Sequence, residues 1–165
     1  MDKELRTLYK KIDDSQIFGD FNICKNCKNL CARKMQWHWL LSIEIQLFNY
    51  NLDISKKNEA FFFEGGKCPL LKDNQCSIYS KRPLECRLSP LSLLQLNEKF
   101  YWIIDIDCLY FKSYSKSKIL NFINIIEPYF TKKMLDDIKN ISNAININNP
   151  LIEFKDYIKL KEFYK

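Results

Sequence analysis

Residues 24–51 read CKNCKNLCARKMQWHWLLSIEIQLFNYN. The opening sets Cys24, Cys27 and Cys31 in a C-x2-C-x3-C spacing. A two-residue gap lets the chain curl so that two sulfurs face one point while backbone N–H groups turn inward, and such N–H groups stabilise thiolates. Cys31 follows Cys27 by about one helical turn, which brings it within reach of the same centre. The rest of the stretch carries Met35, Trp37, Trp39, Leu40, Ile43, Leu47 and Phe48 without Gly or Pro. That length and composition predict one long helix over residues 29–51. Its apolar residues nearly surround the axis, so it is expected at the centre of the core. A thiolate at Cys31, near the start of this helix, gains from the helix dipole.

On the N-terminal side, Leu5, Leu8 and Ile12 at helical spacing predict a short helix over residues 2–12. Residues 18–28 read as irregular. On the C-terminal side, Phe61-Phe62-Phe63 is a β-like run stopped by Gly65-Gly66, and Lys72-Asp73-Asn74-Gln75 is a turn by composition. Residues 76–90 read as a second irregular segment. Residues 91–96 and 100–106 flank Asn97-Glu98-Lys99 as a β-hairpin. Residues 116–130 form an amphipathic helix with Ile119, Leu120, Ile123 and Ile126 inward, ended or kinked at Pro128, and helix resumes over residues 131–141. The Asn-rich residues 140–149 read as a loop or fraying end. Residues 151–165 read as a last short helix or an extended tail. The fold class is therefore α+β, mostly helical: one small domain over residues 1–165, with a central long helix, a cysteine-rich loop region and a short β-hairpin.

A chain of 165 residues with 47% hydrophobic and 15% aromatic content fills one domain with a modest core and excludes disorder. The net charge of +6 is spread among interleaved acidic and basic residues, as on an ordinary solvated surface. A protein partner fits this surface. A nucleic-acid role would rest only on the basic charge and on alternations such as Phe111-Lys112-Ser113-Tyr114, which lack a stacking platform. The start Met1-Asp2-Lys3-Glu4 is charged where a signal peptide needs apolar residues, and no apolar run of membrane-spanning length occurs. The expected location is the cytoplasm. In that reducing compartment clustered cysteines favour metal or redox chemistry over structural disulfides, and seven cysteines cannot all pair.

The remaining cysteines, Cys68, Cys76, Cys86 and Cys108, are less regularly spaced, and each also fits as a small buried hydrophobe. Their neighbours favour ligation: Pro69 follows Cys68, a polar turn precedes Cys76, and Arg87 follows Cys86. Arg82 and Arg87 bracket Cys86. They either compensate an anionic thiolate cluster and bind a cofactor's carboxylate or phosphate, or form surface ion pairs with Glu85 or Glu64. His38, seven residues after Cys31, lies about 10 Å along a continuous helix, too far to share one ion. Phosphate loops, nucleophile elbows and zincin helices are absent from the sequence.

The residues Cys24-x2-Cys27-x3-Cys31, Cys68-Pro69-Leu70, Cys76-Ser77-Ile78-Tyr79, Arg82-Pro83, Cys86-Arg87 and Cys108 together resemble the cysteine-cluster family named for its CxxCxxxCC motif, the YkgJ-like zinc- or iron-chelating domains. The C-x-I-Y-x-x-R-P-x-x-C-R string is the most distinctive part. The resemblance spans Cys24 to Cys108 and implies a family-like core over residues 18–112, which the part read as helical, over 113–165, follows in the same domain. It implies a metal centre held by Cys24, Cys27, Cys31, Cys68, Cys76, Cys86 and Cys108, and a distant kinship to flagellin lysine N-methylase, hence to methyl transfer through an iron–sulfur centre. The doubled cysteine of the family is Cys31-Ala32 here, and Leu109 follows Cys108 where the family has Pro-Gly. Eight thiolates from this chain are therefore impossible.

Zinc ribbons use two close cysteine pairs, and this chain has one. One four-cysteine site leaves three thiolates, which suits either a second cluster with an open iron or a second metal completed by a non-cysteine ligand. The expectation is an iron–sulfur cluster, of the [4Fe–4S] type, in an accessory redox or assembly protein or a small enzyme. The alternative is a zinc-binding structural or adaptor module.

Overall fold

The computed structural model describes residues 3–15, 17, 38–48, 54–57, 59–63, 70–72, 75–105, 115–145 and 157–163. The architecture is α+β. Helix α1 (Lys3–Ser15) buries Leu5, Leu8, Tyr9 and Ile12 along one stripe, as its periodicity predicts. It packs against the short helix α3 (Leu84–Leu88) and against α4 (Lys116–Ile126).

The hairpin expected from sequence is strands β6 (Leu91–Leu96) and β7 (Lys99–Asp105). Leu96 pairs with Lys99, leaving Asn97 and Glu98 as a two-residue turn with φ of 48° and 64°. Two successive positive φ values match the right-handed twist of the flanking strands. A third antiparallel strand, β8 (Tyr157–Glu162), pairs with β7 across a bulge at Trp102/Ile103, giving the order β6-β7-β8. The helical C-terminal part predicted over 113–165 thus ends in a strand. Its sequence, Tyr-Ile-Lys-Leu-Lys-Glu, alternates over too few residues to be told from a helix locally, and the open edge of β7 decides its conformation.

Helix α4 is N-capped by Ser115 and gives way to a 3₁₀ turn at Glu127–Tyr129, where Pro128 interrupts the ladder. Phe122 joins Ile119, Ile123 and Ile126 inward, while Leu120 is only partly buried. Helix α5 (Lys132–Ala144), capped by Thr131, extends past the predicted end into the Asn-rich stretch and covers β6.

The long helix predicted over residues 29–51 is corrected within the described residues. Residues 38–40 form strand β1 (His38–Leu40), and only α2 (Ile45–Phe48) is helical. Strand β1 pairs with β3 (Ala60–Phe63), with Trp39 opposite Phe62 and Leu40 opposite Phe61. Strand β2 (Ile54–Lys57) flanks β3 on its other side, so the order is β1-β3-β2. The physical reason is two-sided burial. Trp39 enters the main core, whereas Leu40 enters a second cluster with Leu47, Phe61, Leu70 and Ile78. A strand buried on both faces reads as apolar all round, just as a central helix does.

The main core is continuous across α1, β1, β3, α3, β6, β7, α4 and α5. Phe130 stacks edge-on between Trp102, at 5.5 Å, and Phe163, at 6.0 Å, and so ties the end of β8 to the helices. The Trp102 indole N–H donates to Glu127 at 2.9 Å, which also accepts from Lys161 of β8 at 2.6 Å. No described helix is long and apolar enough to cross a membrane.

Candidate metal centre

Of the seven cysteines, Cys76 and Cys86 lie among the described residues. The expectations for Cys24, Cys27, Cys31, Cys68 and Cys108 fall outside them. Both described cysteines lie outside any disulfide and are of intermediate burial. Among the described residues no group of three or more His, Cys, Asp or Glu is placed to hold a metal ion.

The segment from Cys76 to Arg87, expected to be irregular, folds as a sequence of tight local structures. Strands β4 (Leu71–Lys72) and β5 (Gln75–Cys76) pair around the predicted turn, with Leu71 opposite Cys76. Both the backbone N–H and the hydroxyl of Ser77 donate to the Leu70 carbonyl at 2.9 Å. Ile78 packs with Leu40, Phe61 and Leu70. A 3₁₀ turn at Tyr79–Lys81 follows, and the Arg82 guanidinium lies 4.3 Å from the Tyr79 ring centre. Pro83 sits at the start of α3, where its missing N–H costs nothing, and its carbonyl accepts from Arg87 at 3.0 Å. Each residue of the C-x-I-Y-x-x-R-P-x-x-C-R string therefore has a structural place.

Helix α3 exposes its cysteine selectively. Leu84, Glu85, Arg87 and Leu88 are buried, and Cys86 is the one residue of the five that is not. The buried charges around it are paired. The Nε of Arg87 donates to the Arg82 carbonyl at 2.9 Å, and Nη2 donates to the Ser80 carbonyl at 2.7 Å. Its Nη1 reaches both carboxylate oxygens of Asp13 on α1, one at 2.6 Å, and its guanidinium stacks 4.1 Å from the Tyr9 ring centre. Arg87 is thus a buried tie rather than a surface ion pair with Glu85 or Glu64. Arg82 is half-buried beside it.

Glu44 is fully buried. It accepts from the Tyr9 hydroxyl, from the Leu84 N–H at 2.7 Å and from the Leu41 N–H at 2.9 Å. Burial pushes its carboxyl up to about 7, against the opposing pull of the three hydrogen bonds. Burial, followed by the neighbouring Glu44 carboxylate, holds the Tyr9 hydroxyl above its ordinary range. Glu85 accepts from the Trp39 N–H at 3.0 Å. Asp137 on α5 accepts from the Ser42 N–H and hydroxyl, both at 2.8 Å, and burial raises its carboxyl as well.

Sequence reasoning missed Tyr9, Asp13 and Glu44. The available signal was Glu44 itself, a lone acid amid Leu40, Leu41, Ile43, Ile45 and Leu47. An acid in such a stretch needs buried donors or stays protonated. For His38, the helical distance to Cys31 does not apply, because its backbone belongs to β1 opposite Phe63.

Among the described residues a small α+β fold carries the thiols of Cys76 and Cys86 at intermediate burial, the donor type that cysteine-dependent metal-binding domains use. The family model CxxCxxCC, described as "Putative zinc- or iron-chelating domain", matches residues 23–109, and the chain belongs to this family. All seven cysteines lie within the matched span. No curated protein and no solved structure gives a match. The donor chemistry of the described residues fits a chelating role: Cys76 and Cys86 lie outside any disulfide and are partly accessible, and thiolate sulfur is a soft donor. Metal binding is the function class to which this chain belongs.

Proposed function

We propose that the chain holds an iron–sulfur cluster through its cysteine thiolates and serves as an accessory redox or cluster-assembly protein. Cys24, Cys27 and Cys31 form the compact part of the ligand set, and Cys68, Cys76, Cys86 and Cys108 supply the remainder. The observation that carries this reading is the part-exposed thiol of Cys86, presented by a helix whose other four residues are buried, inside a span of the chelating family. Seven thiols exceed one tetrahedral zinc site, and the single C-x2-C pair departs from the two pairs of a zinc ribbon. When bound, such a cluster supplies one-electron transfer. The chain's own part is to hold thiolates and keep them at fixed positions.

Anaerobic purification followed by iron, zinc and acid-labile sulfide analysis tests this. A brown protein with a broad visible absorbance and matching iron and sulfide supports the reading. A colourless protein with stoichiometric zinc and no sulfide overturns it. In either case, Cys24→Ser and Cys27→Ser should lose the metal.

A further inference from the structure

Helix α1 ends at Ser15, ahead of the segment that matches the family. It nevertheless supplies two of the side chains that brace the cysteine-bearing helix α3, Tyr9 and Asp13. We propose that α1 is a positioning element of the metal centre: Asp13 and Tyr9 grip Arg87 and Glu44, and this grip sets where Cys86 stands and how firmly metal is retained. The proposal rests on Cys86 being one of the metal ligands.

Helix α3 is short. Five residues form little more than one turn, and nucleating so short a helix is unfavourable without tertiary support. That support falls on both sides of Cys86. Before it, the Leu84 N–H, an orphan donor of the first turn, is satisfied by Glu44. Glu85 is tied to the backbone of β1 through Trp39. After it, the Arg87 fork joins four points: the carbonyls of Ser80 and Arg82, the Asp13 carboxylate and the Tyr9 ring. Tyr9 closes the circuit, because its hydroxyl donates to Glu44 while its ring lies against Arg87. The thiol is thereby bracketed by residues tied to α1 directly, as Arg87 is, or through Glu44, as Leu84 is. The same fork fixes residues 80–82, on the path from Cys76 to Cys86. A planar guanidinium reaches these acceptors together, whereas an ammonium cannot.

Cobalt(II) is the probe, added anaerobically to the reduced, metal-free full chain. The intensity of its thiolate charge-transfer band and the rate of its loss to a chelator are followed, with far-UV circular dichroism recording the folded fraction. Cys86→Ser serves as the reference for a lost ligand and should weaken the band and accelerate loss. Arg87→Lys keeps the charge and loses the fork. Asp13→Asn alters only a half-exposed residue, so it tests the grip even if Arg87→Lys unfolds. Both should release cobalt about 10–100-fold faster than wild type while remaining folded, the range over which ligand-supporting residues act. Asp13→Glu should restore retention, and Asp14→Asn, its exposed neighbour, should leave it unchanged. Wild-type release rates in folded Asp13→Asn, or release that follows only the unfolded fraction, overturn the proposal while Cys86→Ser still shows its defect. A Cys86→Ser variant with wild-type band and retention removes Cys86 as a ligand, and the proposal with it.

Discussion

Arg87 and Asp13 lie 74 residues apart in sequence and meet in a bidentate contact between α3 and α1. The contact is asymmetric: the arginine side chain is 4% exposed and the aspartate 47%. Losing the arginine strands the carbonyls of Ser80 and Arg82 as well as the carboxylate. Losing the carboxylate leaves a guanidinium that still has two carbonyl acceptors. Arg87→Ala, which removes four contacts and leaves a void, should therefore cost about 3–5 kcal/mol, and Asp13→Ala, which leaves a buried guanidinium without its counter-charge, about 1–3 kcal/mol, in urea unfolding. Equal losses would show that the carbonyl bonds contribute nothing.

Glu44 gives the protein a pH dependence with a definite sign. Its carboxyl is raised from an ordinary 4.5 to about 7 in the folded state, so the native protein binds the extra proton between those values. The associated stabilisation is full below the lower value and is lost as pH rises through the upper one, up to a ceiling of about 3 kcal/mol. Asp137, also raised by burial, acts in the same direction. Unfolding free energies measured at about pH 5 and about pH 8 should fall across this interval in wild type. In Glu44→Gln the fall should shrink by about 1–3 kcal/mol. An identical fall in the variant would place the titration elsewhere.

Phe130 joins the helices to the β6-β7-β8 sheet. Its ring is fully buried between Trp102 and Phe163. Phe130→Ala removes both edge-on contacts and leaves a void, and should cost about 3–5 kcal/mol in denaturant unfolding. Phe130→Leu, which refills most of the volume, should cost clearly less.

The β6–β7 turn offers a stabilising change. Glu98 holds φ at 64°, a region costly for a residue with a Cβ and free for glycine. Glu98→Gly converts the turn to Asn-Gly, the preferred pair for this geometry. Thermal and urea unfolding should show a gain of about 0.5–1 kcal/mol, the lost left-handed strain outweighing the added freedom of the unfolded chain.

Much of the framework was legible in the residues themselves. Leu5, Leu8 and Ile12 mark α1, Ile119, Ile123 and Ile126 mark α4, and Asn97-Glu98 marks the hairpin, because each depends on contacts within a few positions. The cysteine spacing and the C-x-I-Y-x-x-R-P-x-x-C-R string likewise identified the chelating family. Tertiary structure decided the rest. Trp39 and Leu40 are strand because Phe61 and Phe62 lie beside them, residues 157–162 are strand because β7 has an edge to fill, and Arg87 finds Asp13 rather than Glu85. Those choices turn on partners far away in the chain. Burial on both faces erases the local periodicity that would have announced a strand, and an ion pair leaves no mark in sequence until folding brings its halves together.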